Sequence, residues 1–340
     1  MKPYNELTSI GKKRRLTKLV RLALAKYDID LKSLKYYLEE TNIFYRLSDI
    51  NGKKYTLKIF REESTTLEDN LAEVFFLDEV KKNSDIVVPT VIKSKDGESI
   101  VVITSEYFDT PKRIALYEWV EGRLFADCTT MERFYSLGKA TAKLHIATEN
   151  TNIPSNLNIK KWDKVFYFAD EEIVYKNEKY QDFLDDNFYN AMDFIVPYLN
   201  KCLAKHYVNT KIQLLHGDLN PWNVLVHKEE IRFIDFEDNI LGIPLHDIAI
   251  MLFYYRHSKN YDYYEVRNHF LKGYRSIKEL PQFTDYDMDV LIIARLVNFL
   301  NYVLVIEEDE EEYCKKWIKS VEEFIKRYAN DEYITFLGSK

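Results

Sequence analysis

The amino-acid sequence predicts an α+β protein: a small antiparallel β-sheet carrying one helix, followed by a larger and mostly helical region. Three observations predict it. An Asn51-Gly52 pair stands between runs of β-formers, the strongest short hairpin signal a sequence carries. After Gly122 the apolar residues switch to helical spacing. The 340 residues include only 9 glycines and 8 prolines, which excludes collagen-like, linker-rich and propeller designs and favours long, continuous elements. The length suits about two domains, and the change of pattern divides them into 1–121 and 122–340.

In chain order, residues 7–27 place Leu16, Leu19, Val20, Ala23 and Leu24 at helical spacing behind Lys12, Lys13, Arg14 and Arg15. That basic cluster reads as the solvated face of a surface helix, because the chain as a whole is acidic. Strands are expected at 35–39, 44–48 and 54–60, where Tyr, Leu, Ile and Phe alternate or cluster. A helix at 67–82 follows, with Leu71, Val74, Phe75, Leu77 and Val80 facing inward. Two more strands complete the sheet, 99–104 after an Asp96-Gly97 turn and 113–120. Further helices are expected at 130–148, 179–206, 247–255, 262–277, 285–307 and 310–329, several opening at an N-cap such as Thr130, Asp262 or Asp285.

Composition narrows the classes of function. Apolar residues make up 46% of the chain, enough for packed cores and too much for disorder. A net charge of −7 argues against a general nucleic-acid surface, which needs a basic footprint. Cys128, Cys202 and Cys314 are odd in number and far apart, without a C-x-x-C pair, so neither a disulfide framework nor a zinc knuckle is expected. Residues 1–6 are polar where a signal peptide would turn apolar. The apolar stretch 297–306 is too short for a membrane span and contains Asn298 and Asn301. These features point to a cytoplasmic protein with neither a nucleic-acid nor a membrane partner. Oligomeric state has no signature in the sequence.

Inside the helical half, residues 214–236 are an exception. They read His216-Gly-Asp218-Leu-Asn-Pro-Trp-Asn223, then two short strands around Lys228-Glu229-Glu230, then Ile234-Asp235-Phe236. If those three residues close a symmetric hairpin, His227 faces Ile231 and Asn223 lies opposite Asp235, on the same face of the ribbon. An amide oxygen and a carboxylate then converge, an oxygen-rich pair suited to Mg²⁺. Asp218, five residues before Asn223 and across a loop with Pro221, is a separate carboxylate. Phosphoryl transfer needs this division of labour. Metal-binding oxygens hold the nucleotide phosphates, and a distinct carboxylate takes the proton of the incoming hydroxyl.

At these residues the chain resembles the aminoglycoside phosphotransferase and choline kinase-like superfamily, relatives of the eukaryotic protein kinases. The matching text is 216–223, then Phe233-Ile-Asp-Phe-Glu-Asp238, then Gly242-Ile-Pro-Leu-His-Asp247-Ile-Ala. Within that superfamily it looks most like the bacterial group of homoserine kinase type II, spore-coat kinase and stress-response kinase proteins. The resemblance implies a bilobal, protein-kinase-like fold, with a nucleotide-binding N-terminal lobe at 1–121 and a helical C-terminal lobe at 122–340. It implies ATP and Mg²⁺ as cofactors, Asp218 as catalytic base, Asn223 and Asp235 as metal ligands, and His216 and Asp247 as supports of the catalytic loop. By the same resemblance Lys58 on the third strand grips the nucleotide phosphates and Glu73 on the next helix holds that lysine. The carbonyl of Glu118 and the N–H of Val120 meet adenine at the hinge. Thr41 and Asn42, in a first loop lacking the usual glycines, approach phosphate. Glu237 stands where protein kinases have the glycine of D-F-G, so no mobile switch of that kind is expected.

The implied reaction is transfer of the γ-phosphate of ATP to a hydroxyl of a small, amine-bearing molecule. A protein Ser/Thr kinase and a nucleotide-binding pseudokinase scaffold are the alternatives. The acidic runs 170–172, 185–186 and 307–312 can attract a cation, but read as solvated helix ends. Trp162 and Trp222 can cage a quaternary ammonium, although packing is the plainer role for Trp222. His145 reads as a satisfied core histidine, and no His/Cys spacing suits a transition metal.

Overall fold

Strands β1 (Leu31–Glu39), β2 (Ile43–Asp49) and β3 (Lys54–Ile59) run antiparallel, and Asn51-Gly52 joins the last two with Gly52 at φ +85°. The computed structural model describes residues 2–306 except 40, 63–64, 158, 167–172, 181–183 and 257, together with 319. Its residues group into two units. One is Met1–Cys128, Thr151–Ile159 and Trp222–Asp238; the other is Thr129–Asn150, Lys160–Pro221 and Asn239–Lys340.

The first unit is built on a five-stranded antiparallel sheet in the order β1-β2-β3-β5-β4, with β4 at Val101–Ile103 and β5 at Lys112–Glu118. Helix α1 (Ser9–Leu24) begins at Thr8, whose hydroxyl accepts from the Gly11 N–H at 3.2 Å. It buries Leu16, Leu19, Val20 and Ala23 against Tyr45, Leu47, Leu57 and Leu116, and leaves Lys13 and Arg14 exposed. Helix α2 (Leu67–Asn83) opens with a reciprocal capping box between Thr66 and Asp69, which satisfies two otherwise orphaned N–H groups.

Strand β6 (Arg123–Leu124) pairs with a strand far along the chain. Beyond β7 (Gln213–Leu215), which belongs to the second unit, β8 (Val224–His227) pairs with β6 and with β9 (Glu230–Phe233). The β8–β9 hairpin corrects the sequence reading. Its loop has two residues rather than three. His227 pairs with Glu230, and Lys228 and Glu229 take φ of 49° and 64°, the left-handed pair of a type I′ turn. The register moves by one, so Asn223 stands against Ile234, whose N–H donates to the Asn223 carbonyl at 3.0 Å, and not against Asp235. Nothing in Lys-Glu-Glu announces such a turn, because neither residue has the glycine or asparagine that adopts it cheaply.

The second unit is helical: α3 (Met131–Thr148), α4 (Asp186–Asn209), α5 (Leu245–Phe253), α6 (Tyr263–Arg275) and α7 (Asp285–Ile306), with β10 (Ile240–Gly242) pairing with β7. Thr130, Asp185 and Asp262 cap α3, α4 and α6 through their side chains. Helix α4 thus starts at its Asp185 cap rather than at residue 179. Among the described residues no helix is long and apolar enough to cross a membrane. The expected helix 310–329 lies outside the described residues.

Candidate active site

Along β3, Tyr55, Leu57 and Ile59 join the α1-side core, and strand alternation turns Lys58 to the other face. Lys58 is buried, 1% exposed, and so cannot stand alone without a large desolvation penalty. Its Nζ lies 3.0 Å from Glu73 Oε2 of α2, 2.8 Å from Glu237 Oε2 and 3.7 Å from Asp235 Oδ1. Tyr117 of β5 donates its hydroxyl to Glu73 Oε1 at 3.1 Å. Burial works against the ammonium, but Glu237, Glu73 and Asp235 outweigh it and hold its pKa well above the ordinary lysine value. Burial pushes the Glu73 carboxyl up, with Lys58 pulling the other way.

Phe236 packs edge-on against Phe76 of α2, ring centroids 5.0 Å apart, which anchors the two acids flanking it. Asp235 sits at φ +63°, left-handed backbone just past the end of β9. Its side chain is 38% exposed, yet Oδ1 is buried and accepts no hydrogen bond. Burial and the Glu237 carboxylate both push the Asp235 acid up, against the pull of Lys58. One ammonium therefore faces three carboxylates, an excess of negative charge that a cation relieves.

These residues suit Mg²⁺. Asp235 offers an orphaned carboxylate oxygen, and Glu237 and Asn223 add further oxygen donors in the same unit. Among the described residues, no three His, Cys, Asp or Glu side chains are grouped to hold an ion by themselves. Mg²⁺ is commonly held by one or two carboxylates together with water and phosphate oxygens.

Glu237, which the sequence offers only as a missing glycine, is thus a full member of the cluster. Asn42 explains its posture. The Asn42 side chain is 1% exposed, donates Nδ2 to Glu237 Oε2 and accepts the Arg61 N–H at 3.1 Å. Its amide braces the acid cluster, leaving only backbone from this residue for a phosphate, while Thr41 beside it is half-buried. At the end of β5, the Glu118 N–H donates to the Thr90 carbonyl at 2.8 Å and the Trp119 N–H to the Lys54 carbonyl at 3.0 Å.

The other part of the motif is in the second unit, the chain passing between units after Pro221. Asp247, in the first turn of α5, is fully buried and accepts the N–H groups of His216 at 3.0 Å and Gly217 at 2.9 Å. Gly217 at φ +81° lets two successive N–H groups turn onto one carboxylate. His145 of α3 binds the same carboxylate through Nε2 at 3.0 Å, and its Nδ1 meets the Tyr274 hydroxyl of α6 at 2.8 Å. Burial pushes the Asp247 acid up, but His145, His216 and the Gly217 N–H bring it below its ordinary value. His145 is the satisfied core histidine the sequence suggests.

Asp218 follows this clamp. Its backbone N–H reaches His216 Nδ1 at 3.4 Å, Oδ2 accepts from Asn220 Nδ2 at 2.7 Å, and Oδ1 accepts from Arg295 Nη2 of α7 at 2.6 Å. The sequence reading missed Arg295. A signal existed: it is the one charge within Leu291-Ile-Ile-Ala-Arg-Leu-Val297, and a lone charge on a buried stripe has to be paired.

Trp162 is fully buried and stacked on His246, centroids 4.2 Å apart, which removes it from an aromatic cage, and Trp222 is 51% exposed. Asp185 is a helix cap. The acidic runs 170–172 and 307–312 lie outside the described residues.

Residues 38–280 match the family model described as the phosphotransferase enzyme family. Among solved structures, a microcompartment-associated aminopropanol kinase superposes with a TM-score of 0.75 at 20% identity, over 93% of this chain and 98% of that one. The amicoumacin kinase hAmiN, solved with AMP-PNP, Ca²⁺ and Ami, gives 0.70 at 19% identity, over 93% and 96%. Choline kinase from Cryptosporidium parvum Iowa II gives 0.61 at 14%, over 94% and 97%. Comparison of the sequence with curated proteins finds no match.

Proposed function

We propose, from the premise that this chain belongs to the phosphotransferase enzyme family, that it transfers the γ-phosphate of ATP, with Mg²⁺, to a hydroxyl of a small, amine-bearing molecule. The observation that carries the reading is Lys58: an ammonium buried at 3.0 Å from Glu73, beside two further acids that outnumber it. A surface ion pair of that kind would carry no weight. A buried one with surplus carboxylates is costly to keep unless the surplus serves a cation and the ammonium serves an anion.

In this reading Lys58, oriented by Glu73, holds nucleotide phosphate. The Glu118 carbonyl and the Val120 N–H hold adenine, and backbone near Thr41 and Asn42 lies toward the phosphates. Asp235, Glu237 and Asn223 hold Mg²⁺, which when bound neutralises charge on the phosphates. Asp218 takes the proton from the acceptor hydroxyl as its oxygen forms the new bond to phosphorus and the bond to the ADP oxygen breaks. Asp247 keeps the loop that presents Asp218 in shape by holding the N–H groups of His216 and Gly217. The solved relatives of this fold named above are kinases of aminopropanol, amicoumacin and choline, which favours a small acceptor over a protein.

The test is ADP release from Mg·ATP across amino alcohols, aminoglycosides, sugars and a generic protein substrate. Asp218→Asn is expected to abolish transfer while Mg·AMP-PNP still binds, and Asp235→Ala to suppress both. Near wild-type turnover in Asp218→Asn defeats the assignment. Nucleotide binding with no turnover of any acceptor, or of water, leaves a scaffold instead of an enzyme.

A further inference from the structure

We propose that Arg295 is a positioning residue for Asp218, so that helix α7, far from the motif in sequence, sets the aim of the base. The proposal rests on the phosphotransferase reading above. Arg295 lies in mid-α7 among Leu291, Ile292, Ala294 and Leu296, all buried, and is itself only 8% exposed. A guanidinium buried in apolar company carries a large desolvation penalty unless it is paired. Its Nη2 meets Asp218 Oδ1 at 2.6 Å, a charge-assisted bond at the short end of its range, and its guanidinium lies 5.4 Å from the Phe299 ring centroid.

A base has to present one particular lone pair, yet a carboxylate rotates freely about its last torsion. Here its two oxygens are held from different elements, Oδ1 by Arg295 of α7 and Oδ2 by Asn220 of the loop. Two donors on opposite oxygens fix that torsion. Arg295 touches no reacting atom. It acts by fixing the group that does, and arginine suits the task because it stays charged at every working pH.

The experiment compares wild type with Arg295→Met, Arg295→Lys, Asp218→Asn and the double variant Asp218→Asn/Arg295→Met. It reads ADP release from Mg·ATP with 1-amino-2-propanol, or with water where that is faster, alongside Mg·AMP-PNP titration and thermal midpoint. A misaimed base is expected to lower kcat by about 100-fold in Arg295→Met, with KM for ATP and AMP-PNP affinity held within about twofold. Arg295→Lys should recover about tenfold of that loss, since a point cation restores the charge without the planar fork. In the Asp218→Asn background, the trace ADP release that survives loss of the base should not fall further with Arg295→Met. Turnover of Arg295→Met close to wild type overturns the proposal, and so does an equal loss in both backgrounds. If Arg295→Met does not fold, Arg295→Lys decides, and unchanged kcat there also overturns it. A wild-type chain that binds no Mg·AMP-PNP instead defeats the phosphotransferase reading, and this proposal falls with it.

Discussion

Helices α3 and α6 meet through two glycines, and replacing one of them tests how tightly the catalytic-loop clamp is tied to packing. A methyl carbon on Gly273 would lie 1.9 Å from the Tyr135 carbonyl oxygen, and one on Gly138 would lie 2.0 Å from the Phe270 carbonyl oxygen. Ordinary van der Waals contact begins at 3.4 Å, so Gly273→Ala forces an overlap of about 1.5 Å (3.4 − 1.9). The obstacle is backbone, which no rotamer change removes, so α6 has to retreat from α3. Overpacking costs up to about 3 kcal/mol. Retreat also lengthens the 2.8 Å bond between Tyr274 of α6 and His145 of α3, worth about 1 kcal/mol. Alanine returns about 1 kcal/mol of helix propensity. The balance is a loss of about 3 kcal/mol, which at roughly 2–4 °C per kcal/mol lowers the thermal midpoint by about 6–12 °C. Because Tyr274 backs His145, and His145 backs Asp247, turnover should fall as well. Gly11 in α1 is the control: its nearest atom to an added methyl is 3.3 Å away, so Gly11→Ala should leave the midpoint within about 2 °C of wild type. Scanning calorimetry reads both. A Gly273→Ala midpoint at or above wild type would show that propensity wins over steric overlap, and the reasoning fails.

Three more outcomes are expected. Glu229→Gly, alone or with Lys228→Asn, relieves left-handed backbone at φ 64° and 49° and should stabilise the hairpin by about 1 kcal/mol; an unchanged or lower urea midpoint counts against the type I′ turn. Burial holds the His246 imidazole neutral, pushed down from 6.5 to about 3 despite the pull of Asp247, while its unfolded counterpart protonates near 6.5. Between those values the unfolded chain binds the extra proton, so stability is full above pH 6.5 and falls by about 1.4 kcal/mol per pH unit below it. His246→Phe should flatten that acid limb in urea titrations at pH 7 and 5, and an identical slope in the variant refutes the assignment. Lys58→Met leaves Glu73, Asp235 and Glu237 without their shared cation, and should cut ADP release by about 10²–10³-fold; retention of a tenth of wild-type activity would exclude Lys58 from phosphate binding.

Elements with strong local signals were legible. The Asn51-Gly52 turn, the apolar stripe of α1 and the side-chain caps at Thr130 and Asp262 each depend on residues next to one another in the chain, and each forms close to where it was expected. The burial of His145 was legible from its apolar neighbours in α3, but its partners Asp247 and Tyr274 were not. Long-range partnerships were not. Asn42 and Glu237 are 195 residues apart, and Arg295 and Asp218 are 77 apart. No spacing rule connects such residues, so they become partners only once the chain has folded. The brief strand β6 at 123–124 was missed for a similar reason, since it is a strand only because β8 lies beside it.

The hairpin shows how an acid can reach the lysine by a geometry other than the expected one. The expected pairing of Asn223 with Asp235 assumed a three-residue loop; the two-residue turn puts Ile234 there instead. In an undisturbed strand that shift sends the next side chain to the opposite face. Asp235 escapes the rule because β9 ends at Phe233 and residue 235 is left-handed at φ +63°. The backbone turns there, and the acid comes to lie 3.7 Å from Lys58. Left-handed backbone on an aspartate costs of order 1 kcal/mol, a strain of the kind found at functional sites when surrounding structure over-determines it. Here the surroundings are Phe236 locked against Phe76 on one side and the ammonium on the other. Replacing Asp235 by glycine would therefore relieve the backbone while deleting the acid, and should stabilise the first unit even as it removes activity, the opposing signs expected where strain is kept for function.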